Sequence, residues 1–471
     1  MANAADGSLT TRQLWSYALT EMPLQMAMTP IALFIIPYYT RDLALSLFTI
    51  GLFNMLARMT DVVFDPMIGQ LSDRTRTKFG RRKPWIMLGV PVMVLSVWML
   101  FVPAPNVTEW YFLFWLVMFW LGWTLINIPY YAWGAEISSS YHERTRIASL
   151  RTSFGLAGTL TGMLLPLISG WLWGYGYALG ESLHIIGGMA VGLLLVASVM
   201  LWRLPEAAPV ETRRISLWTG VRVMWGNGPF KRLMLGFTIA AIGPAIGGPL
   251  YLLFVIYVLK EPNLTINTVL LVFYASNLLA VMFWRVVARR VGKRNAWLMG
   301  MCVALIAQPG YLLLGPGDVN LMLGVLALLG VGIGSFAAIP AAMKADVVDL
   351  DRLRSGEDRT GLFFSVWSSA NKLAVAVGGF VATTLVSWSG FKGYSANTPE
   401  QIEVLRMVFC VLPMFFYIAA FAVIWKYPIS EARHLRLIGL LQRRVARKAR
   451  AASAADATKV FGAAGESGRV A

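Results

Sequence analysis

The chain has 471 residues, of which 57% are hydrophobic and only 14% charged, whereas soluble domains carry charge on about a quarter of their residues. A mean hydropathy of +0.62 excludes both a water-soluble globular protein and a disordered polypeptide. The 41 Lys and Arg against 24 Asp and Glu leave a net charge of +17, but most of it lies in short loops between apolar runs, so no nucleic-acid partner is expected.

Apolar segments long enough for the roughly 20 residues that cross about 30 Å of hydrocarbon recur along almost the whole chain. Twelve spans are expected, at 13–38, 46–72, 84–103, 109–138, 146–174, 183–203, 229–259, 266–287, 295–315, 319–344, 360–388 and 402–427. Backbone groups in lipid must be satisfied within each segment, and the short alternating pattern of an outer-membrane barrel is missing, so the fold class is an all-α integral membrane bundle. The first span is too long for a cleaved signal peptide and lacks a basic n-region, so it is expected to stay in the membrane.

Basic residues follow the even-numbered spans: Arg74 to Lys83 after the second, Arg144 and Arg146 after the fourth, Arg203, Arg213 and Arg214 after the sixth, Arg289 to Arg294 after the eighth. The odd-numbered connections carry few, chiefly Arg41, Lys260 and Lys392. By the positive-inside rule both termini are expected in the cytoplasm. A polar stretch with Pro205, Glu206, Pro209 and Glu211 divides the chain into a six-span half at 1–204, a linker at 205–228 and a second half at 229–428. The tail at 429–471, with Arg436, Arg443, Arg444 and Arg447 among leucines, reads either as a basic amphipathic helix on anionic headgroups or as a solvated tail.

Two aspartates four residues apart, Asp61 and Asp65, interrupt the second span. That spacing puts both carboxylates on one helix face, and an ionisable group in hydrocarbon is costly enough that function is the first suspicion. The plain alternative is a structural pairing with basic residues. Cys302 and Cys410 lie in apolar spans, and His142, His184 and His434 lie at or near loops. These assemble neither a zinc site nor a catalytic triad, so no cofactor and no enzymatic activity are expected.

The loop at 69–82 and the one at 287–294 are both basic, Gly-containing and placed after the second span of their half. Paired halves with a site between them near the midplane are the plan of many secondary transporters. The six-plus-six layout and the 69–82 loop resemble the major facilitator superfamily. Finer features resemble its glycoside–pentoside–hexuronide:cation symporter family: Asp61-x-x-x-Asp65-Pro66, Phe79-Gly80-Arg81-Arg82-Lys83-Pro84-Trp85, Asn127-Ile128-Pro129-Tyr130, Glu143-Arg144-x-Arg146, and Ala345-Asp346-Val347-Val348-Asp349 leading through Thr360-Gly361 to Lys372. These stretches cover essentially the whole transport core and are specific as a set.

The resemblance implies that Asp61 and Asp65 hold the coupling ion, Na⁺ or H⁺, with Thr124 adding a hydroxyl oxygen and Lys372 as counter-charge. It places Arg151 near the sugar site, where a guanidinium fork can donate to two hydroxyls. Relative to a galactoside-carrying member, a span-one Asp is replaced by Gln25, a span-four Asp by Asn127 and a neighbouring Trp by Tyr131, while Phe64 stands where a polar Asn often precedes the second cation-site Asp. Galactoside recognition is thereby in doubt, and Na⁺ loses ground to H⁺. Glu21, one turn before Gln25, is a candidate for the lost carboxylate or for a gate. Of Trp123, Tyr130, Tyr131, Trp133 and Trp367, no more than two are expected to touch substrate. Asp73, Arg74, Glu136, Arg144, Arg146, Asp346 and Asp349 are expected on the cytoplasmic side as ion pairs that latch the outward-open state. Gly155, Gly158, Gly162, Gly378 and Gly379 are explained by helix packing.

The expectation is therefore a monomeric, multi-pass inner-membrane symporter of a glycoside, uronide or related small sugar, driven by a monovalent cation. The alternative is a lysolipid or other amphiphile carried by the same mechanism. A membrane enzyme would need a nucleophile, base or metal cluster, and a receptor a soluble sensing domain; neither is visible in the sequence.

Overall fold

A computed structural model describes residues 9–137, 141–173, 179–204, 206, 226–261, 263–355, 360–393 and 396–428. The tail at 429–471 and nearly all of the expected linker lie outside the described residues. Within them the chain is helical and forms no strand.

In the first half, α1 (Thr11–Ala18), α2 (Glu21–Leu33) and α3 (Ile35–Pro37), with a π turn at Tyr38–Asp42, form a first pass bent by 55°. There follow α4 (Leu47–Met59) and α5 (Asp61–Arg74) in one line, α6 (Lys83–Phe101), α7 (Glu109–Glu136), α8 (Tyr141–Trp173) and α9 (Leu179–Trp202). The second half contains α10 (Gly228–Phe254), α11 (Asn263–Val291), α12 (Lys293–Ala307), α13 (Val319–Ser355), α14 (Thr360–Trp388), α15 (Pro399–Cys410) and α16 (Leu412–Trp425). Among the described residues ten helices are long and apolar enough to cross a membrane, and the bent first pass makes eleven. The expected fifth span falls on α8, a helix of 33 residues whose Glu143, Arg146 and Arg151 precede an uncharged, largely apolar run at 152–173.

Helix starts follow local chemistry. Thr108 and Asn227 accept from the amides of Tyr111 and Phe230, and Thr398 closes a capping box with Gln401, satisfying amides that the first turn leaves orphaned. Within a half, glycines allow backbones to meet. A Cβ at Gly162 would stand 2.7 Å from the Met26 carbonyl oxygen, and one at Gly158 would overlap that of Met22, so α8 lies directly on α2 as small-residue packing predicts. Gly158→Leu is accordingly expected to cost about 3 kcal/mol or more and to cut the yield of monodisperse carrier several-fold, read by fluorescence-detected size exclusion.

Among the described residues the halves share an apolar core at one end, with further contact where α8 packs on α11 and where Lys372 on α14 meets α5. One hydrophobic cluster runs through the first half and joins Leu250, Tyr311, Phe391 and Phe409 of the second, at the end where the poorly charged loops lie. There α14 packs along α4 and α10 touches α2 and α3; Phe48 and Phe380 approach with ring centroids 6.1 Å apart, and a Cβ at Gly393 would stand 3.1 Å from the Thr40 carbonyl oxygen. Toward the basic loops the second half has its own separate core, built on Phe230, Trp284, Trp297, Phe363 and Trp367. There α5 packs on α7 and α4 of its own half, and Val62, Val63, Met67 and Leu71 along it are exposed. The bundle is closed at the less charged end and parted at the basic end.

Candidate functional site

The helix carrying the two aspartates is interrupted at Thr60, whose hydroxyl donates to the Ala57 carbonyl oxygen at 2.7 Å. Asp61 therefore opens the first turn of α5, where free amides favour an anion. Pro66 lacks the N–H that would bond Val62, leaving that carbonyl available one turn further on. Asp61 is fully buried, while the Asp65 side chain is 26% exposed, so the pair has an inner and an outer member.

Around them a charge cluster spans both halves. Lys372, from α14, lies 3.1 Å from Asp61 Oδ2 and bonds Asp65 Oδ2 through the same ammonium. Thr124 on α7 donates to Asp65 Oδ1 at 2.9 Å. Arg58, one turn before Asp61, donates to its Oδ2 at 3.2 Å and lays its guanidinium 3.6 Å over the Trp120 ring. Two carboxylates and two cations sum to zero, which is what a desolvated cluster requires. Among the described residues Asp61 Oδ1 has no hydrogen-bond partner, so one buried carboxylate oxygen is left to accept a proton or ligate an ion. The structure brings together Asp61, Asp65, Thr124 and Lys372 and adds Arg58. That residue carries the same signal as the aspartates, a charge inside an apolar span at helical spacing from Asp61, and sequence reasoning passed over it.

The expected substrate residues form a second polar cluster. Glu21 is buried and its Oε1 accepts from Gln25 Nε2 at 2.9 Å and from the Tyr131 hydroxyl at 2.8 Å. Arg151 stands 3.9 Å from Glu21 Oε2 and stacks 3.9 Å over the Tyr131 ring, with Asn127 one turn before Tyr131 on α7. Tyr130 and Trp133 are fully buried core residues, and Trp123 packs against Phe119 and Trp120. With Arg151 removed, the buried Glu21 carboxylate keeps Gln25 and Tyr131 as hydrogen-bond donors. Arg151→Ala is therefore expected to melt within a few degrees of the parent while lowering uptake at least tenfold, measured side by side on one preparation.

A cavity of about 660 Å³ lies elsewhere, on the second half's side of Arg58 and Trp120. Trp367 lines it, stacked on Phe237 with centroids 4.1 Å apart; Glu21, Gln25, Asn127, Tyr131 and Arg151 do not.

On the basic side the described ion pairs close within a half. Asp73 bonds Arg82 at 2.5 Å, the Arg81 and Arg82 amides donate to Glu206 Oε1 at 2.8 and 2.7 Å, Arg146 lies 3.3 Å from Glu143, and Lys293 bonds Asp346 at 2.6 Å. Arg74 is exposed. The side chains of Glu136, Arg144 and Asp349 lie outside the described residues. Arg82, Glu143, Glu206 and Lys293 were not singled out as partners, because loop sequence alone does not select among many nearby opposite charges.

A family model described as MFS/sugar transport protein matches residues 16–431. Among curated relatives, a glucuronide carrier protein homolog of Escherichia coli is 25% identical, covering 91% of this chain and 95% of its own. An isoprimeverose transporter of Lactiplantibacillus pentosus is 24% identical with 91% of each covered. A sodium-dependent lysophosphatidylcholine symporter of Danio rerio is 25% identical over 88% of this chain and 87% of its own. Among solved structures, the nucleoside transporter NupG superposes with a TM-score of 0.65 at 15% identity, covering 89% of this chain and 100% of that one, a likeness of fold. With its helical bundle and paired halves, the chain is a multi-pass membrane transporter, not an enzyme, and belongs to the MFS/sugar transport protein family.

Proposed function

We propose that the protein is a cation-coupled symporter of a glycoside, uronide or related sugar, working by alternating access across a bacterial-type inner membrane with the basic loops in the cytoplasm. The observation that carries this reading is the neutral four-charge cluster in which Lys372 of one half bridges Asp61 and Asp65 of the other. A proton or Na⁺ arriving at the exposed Asp65 passes to the enclosed Asp61, whose free oxygen, together with Thr124, supplies oxygen ligands. The ion takes the place of the Lys372 ammonium, loosening the tie between halves and shifting their equilibrium. Substrate and ion then strengthen one another's binding by reciprocal linkage. On this orientation the described arrangement is open to the cytoplasm.

The names of the relatives support sugar as cargo and ion coupling as the drive; the largely apolar wall of the cavity favours, as a second reading, an amphiphile such as a lysolipid. Purified carrier in proteoliposomes, given an inward Na⁺ or proton gradient and labelled glucuronide, aryl glycoside or lysophosphatidylcholine, is expected to accumulate a sugar derivative with one of the two ions. Uptake indifferent to both gradients would sink the symport assignment.

A further inference from the structure

Outside the Glu21 cluster, room for a substrate lies in the cavity on the second half's side. Its wall is mostly apolar, and among the described residues four carboxamides line it: Asn54 on α4, Asn277 on α11, Asn371 on α14 and, just after α12, Gln308. Gln308 is buried and donates to the Phe409 carbonyl oxygen at 3.0 Å, whereas the three asparagines are partly buried and none of their carboxamides forms a hydrogen bond with another described residue. Helical spacing places an aromatic or cationic residue four positions from each asparagine. Trp367 precedes Asn371 by four residues, Phe273 precedes Asn277 by four, and Asn54 precedes Arg58 by four, all six lining the same cavity. A residue and its neighbour four along share one face, so each amide stands at the edge of a flat or planar group.

We propose, building on the symport reading above, that this cavity is the substrate chamber and that it selects a neutral glycoside with an apolar aglycone. Few converging polar groups in an apolar pocket are what orient a small ligand. Carboxamides donate and accept, so they can bond sugar hydroxyls at both ends, while the aromatic and aliphatic wall takes the aglycone. A uronate is disfavoured because Arg58, the one charged residue among the described residues that line the cavity, is already bonded to Asp61 and stacked on Trp120. Arg58 therefore faces the chamber on one side and the ion cluster on the other. Its release from Asp61, when an ion binds there, would be felt directly by a ligand in the chamber, giving coupling by contact rather than through a long relay.

The test uses intact carrier in nanodiscs with p-nitrophenyl α- and β-D-glucopyranosides and galactopyranosides, free D-glucuronate and lysophosphatidylcholine as probes, read by equilibrium binding. At least one neutral aryl glycoside is expected to bind, more tightly than glucuronate or lysolipid, and Asn277→Leu and Asn371→Leu are each expected to raise its Kd about tenfold. The ion-induced thermal shift should persist in both variants. Asparagine and leucine are close in size, and Asn277→Ser and Asn371→Ser serve where a leucine variant does not fold. Kd values within twofold of the parent in folded variants, preferential binding of glucuronate or lysolipid, or no binding of any neutral glycoside would each overturn the proposal. Loss of gradient-driven uptake only in Asp61 and Asp65 variants would leave the symport reading standing whichever way the chamber test falls.

Discussion

Asp61→Asn is expected to abolish uphill accumulation, with a loss of about 100-fold or more, equivalent to about 2.7 kcal/mol, while exchange of solute between equal concentrations continues. The amide matches the carboxylate in shape but carries no charge, so the cluster passes from neutral to a net charge of +1, with Lys372 and Arg58 facing Asp65 alone. That charge count equals the ion-loaded state of the parent. The variant should therefore behave as though permanently loaded, able to rock with solute and unable to harvest a gradient. Asp65→Asn should be milder, since Asp65 is 26% exposed where Asp61 is fully buried, and water offsets part of the change. Proteoliposomes with imposed gradients, run beside counterflow on the same preparation, separate the two activities. Uphill uptake surviving in both variants would show that the ion docks elsewhere.

Much of this site was legible before any coordinates. Asp61, Asp65 and Lys372 stand out because hydrocarbon makes charge expensive, and that cost is read from sequence without knowing which helices touch. Arg58 obeyed the same rule and was overlooked because the aspartates beside it already accounted for the charge in that span. What sequence could not supply was pairing across distance. Asp73 is one of seven loop charges to which the sequence assigns no particular partner, and the fold delivers Arg82 to it; Asp346 meets Lys293 on another helix. The same limit governs the substrate residues. Gln25, Asn127 and Tyr131 do gather around Glu21, yet the chamber is bounded by Asn277 and Asn371, whose uncharged amides cost less in an apolar span than a charge and so stand out less.

The closed end of the bundle depends on residues without polar groups, and Gly51→Leu is expected to hold it open. Gly51 on α4 faces Thr383 on α14, and a Cβ there would overlap the threonine hydroxyl. Thr383 is fully buried and its hydroxyl lies 3.1 Å from the carbonyl oxygens of Gly379 and Phe380, so it has little room to yield. In a rigid core such overpacking costs about 1–3 kcal/mol. Here the two halves meet as separate bodies at this end, and the strain is relieved by parting them without unfolding either. About 3 kcal/mol placed on one of two states shifts their ratio by roughly a hundredfold, enough to stall a cycle that must visit both. Thr40, buried beside Gly393 across the closed seam, reports the change: in a background lacking Cys302 and Cys410, Thr40→Cys should react with an impermeant maleimide about tenfold faster when Gly51→Leu is present. Transport should fall at least tenfold while the melting temperature stays near that of the parent. A variant that transports normally with Thr40→Cys still unreactive would mean that the Gly51 seam never has to close.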